Sequence, residues 1–201
     1  MARPRTVSDD DILSCTRDTC IEHGARVSID QIAEKLGISA PAILKRFGNK
    51  DALLVKALQP PIDPPWAAHI ERGPDDRPLA KQLEDMFDEI SEFFAEIIPC
   101  IAVLRESGID IHKMAHMQKA PVRGLEAIAS WLKQATKKGI AAVDNTDIAA
   151  TAIMGSIQFH SFLSHMVRHS WSEQAQHKYN RSLAKLYARA FAPAGTQEKR
   201  R

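Results

Sequence analysis

Four cations, Lys35, Lys45, Arg46 and Lys50, stand within residues 35–50 with no acid among them. Ammonium and guanidinium groups gathered beside helix N-termini are what phosphate oxygens bind. The acids Asp9, Asp10 and Asp11 cluster at the start of an expected helix, where the macrodipole favours negative charge. The whole chain is close to neutral, with 27 Lys+Arg against 25 Asp+Glu. Any attraction to a polyanion therefore has to be local.

Histidines offer a second chemistry. His112 and His116 are four residues apart, and His160, His165 and His169 follow later. An i,i+4 pair on a helix face can bind a metal. Here no H-E-x-x-H occurs and no acid lies within the pair, so no metal is expected. His112, His160 and His165 serve instead as polar groups of a pocket or as ordinary core and surface histidines. Cys15, Cys20 and Cys100 form neither a disulfide framework nor a C-x-x-C motif. They read as small hydrophobes of a reducing, cytoplasmic compartment. There is no G-x-S-x-G, Walker loop or G-x-G-x-x-G, so no catalytic residue, cofactor or enzyme activity is expected.

The elements that carry these groups are helical. The chain has 201 residues, 44% hydrophobic and 26% charged, enough for a substantial core. Strand alternation and Asn-Gly or Asp-Gly hairpin signals are missing. Six of the eleven prolines fall in residues 60–78, while 122–192 contains none. This spacing predicts an N-terminal module over 1–58, a Pro-rich connection over 59–77, a larger helical bundle over 78–193 and a polar tail over 194–201. Expected helices are 8–23, 28–35, 39–46, 50–58, 78–98, 100–106, 110–118, 120–138, 146–169 and 172–191, with a cap at Ser170. Residues 148–167 are free of charge but include Ser156, Gln158, His160, Ser161, Ser164 and His165, which are costly in lipid. No membrane span is expected, and the N-terminus has no apolar core of a secretory signal.

Residues 28–47 have the physics of a helix-turn-helix. Ser28 and Gln31 have capping-box spacing. Ile29, Ile32, Ala33 and Leu36 make one apolar stripe. Gly37 suits the left-handed turn between helices, and Ile38 plugs it. Ser39 caps the second helix, Pro41 sits in its first turn, and Ile43, Leu44 and Phe47 give it apolar contacts. Residues 8–23 supply a third wall through Ile12, Leu13, Cys15, Thr16, Thr19 and Cys20. A short second helix with small side chains at Ser39, Ala40 and Ala42 fits a major groove.

The run from Gly37 to Leu54, with Ser28, Ile29, Ile32 and Ala33 before it, resembles the TetR family of transcriptional regulators. The specific likeness covers roughly 8–58. It implies an all-α protein in which a three-helix DNA-binding domain precedes a larger ligand-binding and dimerisation bundle. It also implies a repressor released from a palindromic operator by a small-molecule effector. By the same resemblance Ser28 and Lys50 contact phosphate, and Ser39, Ala40, Ala42 and Lys45 face double-stranded DNA. The family usually has Tyr where this chain has Leu44. Leucine cannot donate a hydrogen bond, which shifts that phosphate contact toward Lys45 or Arg46. Arg3 and Arg5 form either a minor-groove arm or a loose tail. The alternative function is a helical small-molecule-binding protein with a degenerate DNA-binding module.

The later helices are rich in Met and Phe, a composition that suits either plain core or a pliable cavity. Candidate pocket residues are Phe87, Phe94, Met117, Trp131 and His160, and the resemblance implies an effector there. The last two helices carry more apolar surface than a thin bundle can bury. A two-fold four-helix interface would cover it and make a homodimer, with Ala152, Ser156, Phe159, Leu183 and Leu186 as candidates.

Overall fold

Nine α-helices and no strand are formed among the residues described by the computed structural model, 7–166 and 172–193. They are α1 (Asp9–His23), α2 (Ile29–Leu36), α3 (Ala40–Phe47), α4 (Lys50–Leu58), α5 (Pro65–Ile70), α6 (Leu79–Glu106), α7 (Ala115–Lys137), α8 (Thr146–Met166) and α9 (Glu173–Ala190). The all-α class is the one the sequence pattern predicts. Arg3, Arg5, His169, Ser170 and the tail 194–201 lie outside the described residues. The cap of α9 is Ser172, two residues beyond the expected Ser170, and it accepts from the Ala175 N–H at 3.3 Å.

The chain divides into two units. Residues through Pro60 form one together with Ile97–Met117; Pro61–Glu96 and the chain from Gln118 onward form the other. The division falls inside α6 and inside α7. Each of these long helices contains a proline, Pro99 and Pro121; the sequence predicts breaks at Pro99 and at residue 119, two residues before Pro121. Proline deletes one backbone hydrogen bond and costs roughly 3 kcal/mol in a helix interior, yet its fixed φ is helical. Buried neighbours on both sides outweigh that cost: Ile97, Cys100, Val103 and Leu104 in α6, and Ala120, Gly124, Ala127 and Ile128 in α7. Within 59–77 the structure forms α5, which starts on Pro65 and buries Trp66, Ala67 and Ile70.

The first unit closes on Ile12, Cys20, Ile32, Ala33, Ile43, Phe47, Leu53, Leu54 and Leu58, with Cys100, Val103, Leu104 and Ile111. Thr16 and Thr19 are also buried on α1, and each hydroxyl donates to the carbonyl four residues back, of Ile12 and Cys15. The second unit closes on Trp66, Leu83, Phe87, Ile90, Ile128, Trp131, Leu132, Ile153 and Ile157. A polar seam runs through this second core. Asn180 on α9 is fully buried, and its amide donates to Asp88 Oδ1 at 2.8 Å and to the Phe87 carbonyl at 3.4 Å. Its oxygen accepts from Ser91 at 3.2 Å and Gln176 at 3.1 Å.

At the edge of the seam, His177 faces Asp88 at 3.1 Å and Glu173 at 3.7 Å. The hydrogen bond to Asp88 raises the His177 imidazole above its ordinary range. The folded state therefore holds this proton more tightly than the unfolded chain. Its stabilisation is complete below about pH 6.5, the unfolded histidine pKa, and is lost as pH rises through the raised folded value. Thermal melts of the protein and its His177→Gln variant should differ slightly on the acid side and converge in alkali, since solvent reaches and screens the half-buried pair. A difference independent of pH would contradict this assignment.

Candidate nucleic-acid interface

Each turn of the first unit is built by a local rule. Ser28 accepts from the Gln31 N–H at 3.2 Å while the Gln31 side chain accepts from the Ser28 N–H at 2.8 Å, a complete capping box for α2. The Ser28 hydroxyl proton remains available to donate outward. Gly37 then takes φ 65°, ψ 30°, the left-handed region, and the Ile38 N–H returns to the Ala33 carbonyl at 3.1 Å. A β-branched residue is strongly disfavoured at that φ. Gly37→Val should lower stability by about 2 kcal/mol, read as a denaturant midpoint shift at constant m. An unshifted midpoint would contradict the strain assignment.

α3 follows from Ser39, which stands at the N-cap but makes no side-chain capping bond, with Pro41 in its first turn, a position where a missing N–H breaks no helical bond. Its Ile43 and Phe47 are buried, whereas Ser39, Pro41, Leu44, Lys45 and Arg46 are exposed and Ala40 and Ala42 are half-buried. α4 begins at Asn49, whose side chain accepts from the Ala52 N–H at 2.8 Å. The helix that the sequence assigns to DNA thus has one face in the core and the other in solvent.

The four cations differ in what they do. Lys35 pairs with Glu22 at 3.1 Å, and that hydrogen bond holds the Glu22 carboxyl below its usual range. The Arg46 guanidinium donates to the Val7 carbonyl at 2.7 Å and lies 3.4 Å from Asp9, bracing the end of α3 against the start of α1. Lys50 donates to the Ala25 carbonyl at 3.1 Å. Lys45 makes no hydrogen bond or ion pair with any described residue. Spacing cannot reveal these internal braces, because the partners are 25 to 39 residues away in sequence. Cys20 is fully buried, and burial pushes its thiol up to about 11, so it carries no nucleophile.

Residues 12–57 match the family described as bacterial regulatory proteins, tetR family, and residues 111–193 match the AefR-like transcriptional repressor C-terminal domain. The chain belongs to the TetR family of transcriptional regulators. Solved structures agree on the TetR fold. One from Mesorhizobium loti, described as a TetR-family regulator, is 14% identical with a TM-score of 0.70, covering 92% of this chain and 96% of its own. A TetR regulator from Haloarcula marismortui is 18% identical with a TM-score of 0.68, covering 92% and 98%. The fatty acid degradation regulator FadR from Bacillus halodurans is 17% identical with a TM-score of 0.64, covering 90% and 96%. A comparison with curated proteins finds no match. The α2–α3 pair is accordingly the helix-turn-helix of a TetR-family transcriptional regulator.

The second unit holds most of the candidate pocket residues. Phe87 and Trp131 are buried in its core and Phe94 packs against them. His160 is buried in the same unit, stacked on Tyr179 with ring centroids 3.7 Å apart, and burial lowers its imidazole below its ordinary range. Met117 packs on the core of the first unit instead. Trp131 borders a cavity of about 570 Å³, but the other walls include His69, Asp75, Arg77, Asp85 and Glu89. That is a polar cleft, unlike the apolar pocket the sequence suggests. His112 falls in the 3-10 turn Ile111–Lys113 and His116 in α7, so the two do not share one helix. His116 lies 3.1 Å from the Pro60 carbonyl. Among the described residues no group of three His, Cys, Asp or Glu side chains could hold a metal, and no helix is long and apolar enough to cross a membrane.

Of the interface candidates, Ala152, Phe159 and Leu186 are exposed. Ser156 and Leu183 are half-buried; Ser156 donates to the Ala152 carbonyl at 2.8 Å, and Leu183 packs on the chain's own core. The exposed apolar stripe of α8 is longer than those candidates. It runs Ile148, Ala152, Gly155, Phe159, Phe162 and Met166, with Phe159 64% and Met166 63% accessible. The alternating four- and three-residue spacing of this seam is visible in the sequence once small and large residues are counted together.

Proposed function

We propose that this TetR-family regulator acts as a homodimeric, cytoplasmic repressor. Two α3 helices enter major grooves of a palindromic operator about one helical turn apart or somewhat more. The observation that carries this reading is the solvent face of α3, where Ser39, Leu44 and Lys45 stand out from a helix anchored by buried Ile43 and Phe47. Lys45 supplies the outward charge, Ser28 a hydroxyl donor, and Ala40 and Ala42 let the helix approach closely. Arg46 and Lys50 serve first as braces that fix the helix, and their remaining N–H donors can turn to phosphate. The exposed α8 stripe supports the two-fold pairing.

Release requires an effector that binds better to the state whose two α3 helices are wrongly spaced for DNA. One buried group supports a ligand for the second unit. Trp66 is 4% exposed, and its indole N–H has no hydrogen-bond partner in the structure. A ligand oxygen would satisfy it. Among proteins of this fold, one is named as a regulator of fatty acid degradation and another as flavonoid-responsive. Apolar molecules bearing an acceptor oxygen are the effector class proposed here.

An electrophoretic titration of the full chain against the DNA upstream of its own gene, at stated salt, tests this reading. A discrete complex that resists competitor DNA is expected. A helical small-molecule-binding protein with a degenerate DNA-binding module would leave the duplex unretarded.

A further inference from the structure

The outward face of α3 is poor in groups that hydrogen-bond to bases. Arg and Lys read guanine and Asn and Gln read adenine through paired hydrogen bonds in the major groove, and Asp and Glu accept from cytosine; of these, α3 carries only Lys45 and Arg46. Along α3 the side chains are Ala40, Pro41, Ala42, Ile43, Leu44, Lys45, Arg46 and Phe47. Nη1 of Arg46 is held by the Val7 carbonyl and Asp9, which draws the guanidinium toward the start of α1. Ser39 and Lys45 are the polar side chains of this face that no hydrogen bond to a described residue holds. Between them lie Ala40, Pro41 and Leu44, at i, i+1 and i+4, which share one side of a helix. Leu44 is 38% exposed, and Ile21 on α1 is the other large apolar side chain exposed among the described residues of the first unit.

The major groove carries one apolar group, the C5-methyl of thymine. We propose that α3 reads thymine methyl groups, with Leu44 as the specificity-determining contact and Ala40 and Pro41 flanking it. This inference rests on the DNA-binding function proposed above and adds to it the chemistry of the half-site. Lys35, Lys45 and the Ser28 hydroxyl lie on the same helix-turn-helix, so the apolar spot sits within a surface suited to phosphate. A groove lined by phosphates thus fits the whole face, whereas an apolar protein partner would meet the lysines.

The probe is a duplex recovered by the full chain from a random-sequence library. Copies are then made in which each half-site thymine in turn is replaced by deoxyuridine, which removes the methyl and keeps every hydrogen-bonding group. Fluorescence anisotropy at fixed salt should show about a fourfold loss of affinity at one or two positions per half-site, the value of one buried carbon. In Leu44→Ala the thymine and deoxyuridine duplexes should bind alike while the salt dependence stays unchanged. Leu44→Met, still apolar, should keep the preference and guards against a loss caused by misfolding. If the wild-type protein binds the duplex but ignores every deoxyuridine, or if Leu44→Ala keeps full sensitivity, thymine readout by Leu44 is overturned. If no sequence is enriched and no salt-dependent binding to duplex is found, the DNA-binding function falls and this inference with it.

Discussion

Phe159→Arg should convert the protein from a dimer to a monomer in sedimentation velocity and weaken operator binding by about a hundredfold or more. Phe159 sits at the middle of the exposed α8 stripe, four residues from Gly155 and three from Phe162. In a two-fold pairing, a residue near the axis meets its own copy or a near neighbour. Arginine there would bury two like charges without partners, a cost of several kcal/mol at an interface of ordinary size. The effect on DNA is indirect but large. Two linked half-site contacts gain roughly 10²–10⁴ in affinity over one, and a monomer forfeits that gain. Helix content should not change, because the side chain is not part of the unit's own core. A Phe159→Arg variant that still sediments as a dimer would remove this face from the interface.

Asn180→Ala should cost about 3 kcal/mol of stability, far more than its polarity suggests. The side chain is fully buried and ties α9 to α6 through Asp88, Ser91 and the Phe87 carbonyl. Alanine leaves those groups without their partner in a low-dielectric site, and each such loss costs about 1–3 kcal/mol. Asp88 keeps His177 and can be rehydrated at its edge, which limits the total. Chemical denaturation at neutral pH measures the effect. A change under about 1 kcal/mol would mean that water already satisfies the seam.

How far the sequence discloses this architecture depends on the range of the interaction. The helix-turn-helix is written in contacts three to five residues long: the Ser28–Gln31 box, the left-handed Gly37, and the apolar stripes of α1 and α2. All of these form where the spacing predicts. The long helices are harder to read because proline carries a local penalty that burial of Ile97, Cys100, Ala120 and Gly124 overrides. Helix α9 hides its core positions for another reason. Tyr179, Leu183, Leu186, Ala190 and Phe191 recur at helical spacing, but the fully buried positions are Asn180 and Ala184, while Leu186 and Ala190 are exposed. An apolar-only criterion merges the face that meets the chain's own core with the face that meets solvent. The internal braces of Arg46 and Lys50 are invisible for the same reason as the seam. Their partners are brought near by folding, not by spacing.

The most direct test of the central claim is the salt dependence of operator binding with and without the outward lysine of α3. For the wild-type protein, log affinity should fall linearly with log salt concentration, with two chains per duplex. Lys45→Ala should bind roughly tenfold more weakly and flatten that slope by about two, one phosphate contact per subunit. If Lys45→Ala folds and keeps both the wild-type slope and the wild-type affinity, α3 does not lie against DNA.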